Sequence, residues 1–170
     1  MSNDSAWFDP SAVITNSNKI TDIFGYWPSF HDAWINSLSL SVADGKPWVI
    51  DSESPVLDMQ IHLFEMTKEV TADGYFVLAK HTLADLRFRN VVGLSLSRFS
   101  HQNSIFELIF GIEPMSFPFG GGPADGPPPN VITVRIDSSC GLQGEFKCSS
   151  AEVVSAVPCD ENGMINARYD

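Results

Sequence analysis

The sequence predicts a mainly β domain with little helix: an antiparallel meander of seven to eight strands forming a sandwich or a strongly curved sheet. Three observations carry that prediction. Apolar and polar residues alternate at period two along most of the chain. Turn dipeptides such as Asp44-Gly45 and Asp73-Gly74 separate the alternating runs. Helical spacing of apolar residues occurs in one short stretch only, near the N-terminus.

In order, residues 1–17 are rich in Asn, Asp and Ser and predict a flexible N-terminal arm. Asn18 is placed to cap a short helix through Phe24, with Ile20, Ile23 and Phe24 forming its apolar stripe and Gly25 ending it. An aromatic turn follows from Gly25 to Asp32, in which Pro28 favours an extended backbone at Trp27. From Trp34 the period becomes two: Leu38, Leu40 and Val42 alternate with serines. Leu57, Met59, Ile61 and Leu63 mark a second strand. Tyr75 to Leu83 marks a third, with Asp85 to Asn90 continuing it past a bulge or corner. Val92 to Arg98, with Val92, Leu94 and Leu96 inward, and Ile105 to Ile112 are the next two, joined by a turn at Ser100–Asn103. Residues 113–130 form a long loop holding Gly120–Gly122 and Pro127–Pro129. Val131 to Ile136 and Leu142 to Cys148 make a hairpin, and Ala151 to Val157 a last strand. The expected organisation is one domain over 18–159 with a fraying tail over 160–170.

With 44% apolar and 18% charged residues, a chain of 170 residues buries a real core; such chains hide roughly 70% of their unfolded surface on folding. Twenty-one acidic residues against ten basic ones give a net charge of −11. Nucleic-acid binding needs clustered Lys and Arg, and the nearest approach here, Lys80, Arg87, Arg89 and Arg98, is dispersed. A basic protein partner is what this field favours. Met1–Ala6 has neither the basic nor the apolar part of a signal peptide. No run approaches the about 20 apolar residues of a membrane span, so the expected compartment is the cytoplasm. Cys140, Cys148 and Cys159 are odd in number and lack a metal or redox spacing, and are expected as thiols.

His31-Asp32 is the most suggestive polar pair, either as metal ligands or as a base with its orienter. The bland alternative has Asp32 capping the turn's amides and His31 packed among aromatics. His62, His81 and His101 show no zinc spacing. No nucleophile elbow occurs, and the glycine run lacks the Lys and Ser/Thr of a phosphate loop. No catalytic group, metal or cofactor is therefore assigned. Five large rings, Phe24, Tyr26, Trp27, Phe30 and Trp34, fall within eleven residues. Phe24 and Phe30 suit the core, whereas Tyr26, Trp27 and Trp34 remain open as core or as binding anchors.

The stretch Ile20-Thr21-Asp22-Ile23-Phe24-Gly25-Tyr26-Trp27-Pro28-Ser29-Phe30-His31-Asp32-Ala33 resembles the N-terminal signature of the immunity protein 50 family of bacterial polymorphic-toxin systems. His62-Leu63-Phe64-Glu65, Leu86-Arg87-Phe88, Val91-Val92-Gly93-Leu94, Phe99–Asn103 and Gly144–Cys148 follow in the matching order, so the resemblance runs from Ile20 to Pro158. Trp34 departs from it, standing where an acidic residue is expected. The resemblance implies a small, non-enzymatic cytoplasmic protein that binds and neutralises a cognate toxin, in many systems a basic nuclease. Its candidate partner-binding residues are Tyr26, Trp27, His31, Asp32 and Trp34. Two other readings stand beside it: a metal-assisted hydrolase using His31 and Asp32 with a distant histidine, and an oligomer-forming structural domain exposing Trp27 and the Gly-Pro loop.

Overall fold

The computed structural model describes residues 8–42, 53–116 and 126–165. Its elements are a 3-10 turn (Pro10–Ala12), β1 (Ile14–Thr15), α1 (Asn18–Phe24), β2 (Trp34–Ser41), β3 (Val56–Val70), β4 (Phe76–Arg89), β5 (Val92–Ser97), β6 (Ser104–Pro114), β7 (Asn130–Cys140), β8 (Gln143–Cys148) and β9 (Ser150–Pro158). The nine strands among the described residues form one mixed sheet in the order β1-β9-β4-β3-β2-β6-β7-β8-β5. The mainly β class with little helix is as the sequence predicts.

Connectivity forces the sheet to curve. Six strand spacings separate β9 from β8 in the hydrogen-bonded order, about 29 Å in a flat sheet. Yet Ser149 alone links Cys148, which ends β8, to Ser150, which starts β9, and two residue steps reach only about 7 Å. The sheet therefore curls back until Phe88 of β4 meets Phe146 of β8 edge to face, ring centroids 4.9 Å apart. The core lies inside this curl. It holds the alternate residues Leu57, Met59, Ile61 and Leu63 of β3, with Leu86 and Phe88 of β4, Val134 and Ile136 of β7, and Val153 of β9. Ile20 and Phe24, one turn apart on α1, bury the helix stripe against it. Cys148 is buried in the same core, and burial pushes its thiol up to about 12.

Several sequence expectations need correction. Asn18 is the first helical residue; Ser17 occupies the cap position without a capping side-chain bond, its hydroxyl donating instead to the Ser11 carbonyl, while Gly25 ends the helix in the left-handed region (φ 85°). The expected arm contains the 3-10 turn and β1, which pairs in parallel with β9 through Ile14↔Ala151. Among the described residues the strand count is nine because β1, two residues long, carries no visible period. The connectivity is not a simple meander either, because β5 crosses to pair with β8. Leu40, Val42 and Val92 are exposed, and Leu38, Leu94 and Leu96 only half-buried. Alternation fixes which side chains share a face, not whether a second layer covers that face. The long loop is shorter at its described ends, with β6 running to Pro114, β7 starting at Asn130 and the Met115 amide donating to the Pro129 carbonyl; residues 117–125, with the triple glycine, lie outside the described residues. In the tail, Asp160 is a turn centre whose carboxylate accepts from the amides of Asn162 and Met164, and residues 166–170 lie outside the described residues.

Candidate interaction site

The aromatic turn leaves α1 at Gly25 and reaches β2 at Trp34. Phe30 and Asp32 are both left-handed, at φ 61° and 63°, a conformation that costs a non-glycine residue about 1–3 kcal/mol. Neighbouring contacts hold it in place. Phe30 is 2% exposed and plugs the core. The Asp32 amide donates to the Ile105 carbonyl (2.9 Å), the Ile105 amide to the Ala33 carbonyl (2.9 Å), and the Ala33 amide to the Phe30 carbonyl (3.1 Å). The turn is thus bonded to the start of β6.

His31 points outward between these two left-handed residues. Its Nδ1 lies 2.7 Å from the Phe106 carbonyl; a carbonyl only accepts, so Nδ1 carries the proton. Its ring meets Phe106 edge-on at 5.3 Å. Nε2 stands 3.7 Å from Asp32 Oδ2, an ion pair when the ring is doubly protonated. Asp32's carboxylate faces His31 rather than capping the turn's amides, which corrects that part of the bland reading.

Tyr26 and Trp27 lie on one side of the turn. Trp27 is half-buried against Phe30 (5.5 Å) and Phe110 (6.0 Å). With Phe8, Pro28 and Glu107 it lines a cleft of about 600 Å³ between the N-terminal segment, the turn and β6. Exposed Tyr26 donates its hydroxyl to Glu65 (3.3 Å), which also pairs with Lys80 (2.9 Å). Partial burial and the Glu65 carboxylate raise the Tyr26 pKa; the hydrogen bond from Lys80 lowers that of Glu65.

Trp34 belongs elsewhere. It is 45% exposed and stands edge-on to His62 (6.0 Å) and Phe64 (6.5 Å). His62 is buried, with Nε2 3.1 Å from Nδ1 of His81. Burial lowers the His62 pKa, the neighbouring His81 lowers it further, and Asp160 opposes both. Trp34 separates a groove of about 450 Å³, shared with Phe64, Phe76 and Leu78, from a cleft of about 390 Å³ shared with Phe99 and His101.

The structure therefore brings Tyr26 and Trp27 to one cleft, sets His31 and Asp32 beside Phe106, and puts Trp34 on a separate ridge. Among the described residues no three His, Cys, Asp or Glu side chains converge where a metal ion could sit. The hydrolase reading lacks its third ligand there, since His62 and His81 bond to each other and His31 to a carbonyl. Lys80, Arg87, Arg89, Arg135 and Lys147 each lie at ion-pair distance from a carboxylate, so much of the positive charge is already matched. Two residues were not legible as important. Glu107 lines the Trp27 cleft, and buried Asn103 accepts from the amides of Ser100 and Leu142 while donating to the Ser100 and Ile35 carbonyls.

The family model described as immunity protein 50 matches residues 16–158, most of the chain. No curated protein and no solved structure matches the chain.

Proposed function

The chain belongs to the immunity protein 50 family, and from that premise we propose that it binds and neutralises a cognate toxin of a bacterial polymorphic-toxin system. It does so in the cytoplasm, as a stoichiometric binder rather than an enzyme, through an acidic surface with aromatic anchors. The family match over residues 16–158 carries this reading. The net charge of −11 supports it, because an acidic surface steers and orients a basic partner. Exposed Tyr26 and Trp34 and half-buried Trp27 supply the large rings that dominate binding energy at interfaces. Where the toxin is a nuclease, carboxylates of this surface occupy the ground that substrate phosphates would take.

The test is co-expression in a bacterial host with the toxin encoded by the adjacent gene. The protein restores growth and co-purifies with the toxin. Unrelieved killing with no complex would contradict the reading.

A further inference from the structure

Among the described residues strand β6 has a backbone edge that no strand pairs over Leu108–Ile112. It pairs with β7 over its whole length, but with β2 only at Trp34↔Ser104. In an antiparallel strand the N–H and C=O of one residue point to the same side, and successive residues alternate. The Met115 amide donates across to Pro129 on the β7 side (2.8 Å), and the register from Glu107↔Asp137 to Pro114↔Asn130 is unbroken. Residues 107, 109, 111 and 113 therefore direct their backbone groups to β7. Leu108, Phe110 and Ile112 direct theirs the other way. The bond from His31 to the Phe106 carbonyl gives the same parity independently, since it arrives from the side of the turn.

Among the described residues no backbone hydrogen bond reaches Leu108, Phe110 or Ile112 on that side. The Trp27 cleft of about 600 Å³, lined by Leu108, Ile109 and Phe110, lies along that edge, with the Leu108 and Phe110 side chains themselves buried. Pro114, the next residue of that parity, has no N–H and closes the edge, as edge prolines do. The charge at the cleft is one-sided. Asp9 and Glu107 line it, and neither belongs to an ion pair among the described residues. The register also sets Glu107 opposite Asp137, whose own cation is Arg135; like charges directly opposite destabilise a sheet. A cation brought to Glu107 relieves that repulsion.

We infer that the open edge of β6 from Leu108 to Ile112, together with the Trp27 cleft above it, docks an extended, cation-bearing segment of the toxin, which adds to the sheet as a further strand. The three residues offer a ladder about 14 Å long, Trp27 a ring to lie against, and Asp9 and Glu107 the counter-charges. A second copy of this chain fits poorly, because it brings another charge of −11 to an acidic cleft.

Residue-resolved amide exchange, with and without the purified toxin domain, tests this inference, which rests on the toxin-binding function. In the free protein the amides of Leu108, Phe110 and Ile112, without a strand partner, exchange faster than those of Ile109 and Gly111, which are bonded to β7. On binding, the first three slow by at least about tenfold. Glu107→Lys weakens binding by about tenfold or more. Ile112→Pro, which removes only an outward N–H at an exposed position, does the same. Should Ile112→Pro fold poorly, the exchange pattern of the unaltered protein still decides. A complex that forms with these three amides unprotected, and with full affinity in Glu107→Lys, overturns the docking edge and leaves toxin binding standing. Protection already present in the free protein and lost on removing residues 1–7 would show that the chain covers its own edge, which also overturns it. If no complex forms, toxin binding fails and the docking edge with it.

Discussion

Strand β6 is held differently at its two ends. From Ser104 to Phe106 it is bonded on both sides: β7 on one, and Trp34, Ala33, Asp32 and His31 on the other. Among the described residues it is bonded on one side only from Leu108 to Ile112. The aromatic turn is bonded to the strand through His31, Asp32 and Ala33, whereas its Trp27 end borders the cleft. The same eleven residues thus both hold the fold and open the cleft. Phe24 and Phe30 are buried; Tyr26, Trp27 and Trp34 stay at least partly exposed. A motif shared with a family need not be a binding motif throughout, and here its His-Asp step is bonded into the sealed end.

Breaking the sealed end gives the largest effect. Phe30→Ala leaves a cavity in the core and removes the plug that holds two left-handed residues. A loss of about 3–5 kcal/mol in unfolding free energy is expected by denaturant titration. Asn103→Ala comes next. It strips the partners from two amides and two carbonyls that tie β2, β6 and the β7–β8 turn together, costing about 2–3 kcal/mol on the same measurement. Both variants lower the apparent toxin affinity only in proportion to the unfolded fraction.

The groove beside Trp34 supplies a smaller, pH-dependent effect. His62 is buried with a depressed pKa, so the unfolded chain binds the proton more readily than the folded one. Stability from this group is complete above the unfolded value near 6.5 and is lost as pH falls through the lower folded value. The denaturation midpoint should therefore drop between about pH 7.5 and about pH 5.5, and His62→Gln should flatten that dependence. The smallest change in stability belongs to Trp34→Ala, within about 1 kcal/mol, because the ring is half in solvent and its neighbours are met only at their edges. If Trp34→Ala melts as far down as Phe30→Ala, the division of the motif into holding and presenting residues is wrong.

Much of this was legible in the sequence. The stripe Ile20, Ile23 and Phe24 located α1, and Leu57 to Leu63 located the buried face of β3, because burial on one side imposes a period. The alternation from Tyr75 to Leu83 and its continuation over Asp85–Asn90 are one strand, Phe76–Arg89. The parts that escaped have no period to read. β1 is two residues long and pairs with a strand 137 positions away, Ile14 to Ala151. His62 occupies a polar position of an alternating run yet is covered, between the rings of Trp34 and His81 and beside the C-terminal turn. Asn103 looks like any turn residue until the amide of Leu142 is brought to it. For the site, the large rings and the acidity were visible, whereas the open edge of β6 depends on where a neighbouring strand stops.

Under the proposed function this acidic protein neutralises a toxin by holding it in a complex. Titration of the purified protein with the toxin domain encoded beside it, by calorimetry at several salt concentrations, tests that most directly. A discrete, saturable complex whose affinity falls as salt rises is the predicted result. No heat of binding at any salt concentration, with the toxin's activity unchanged by an excess of this protein, would contradict it.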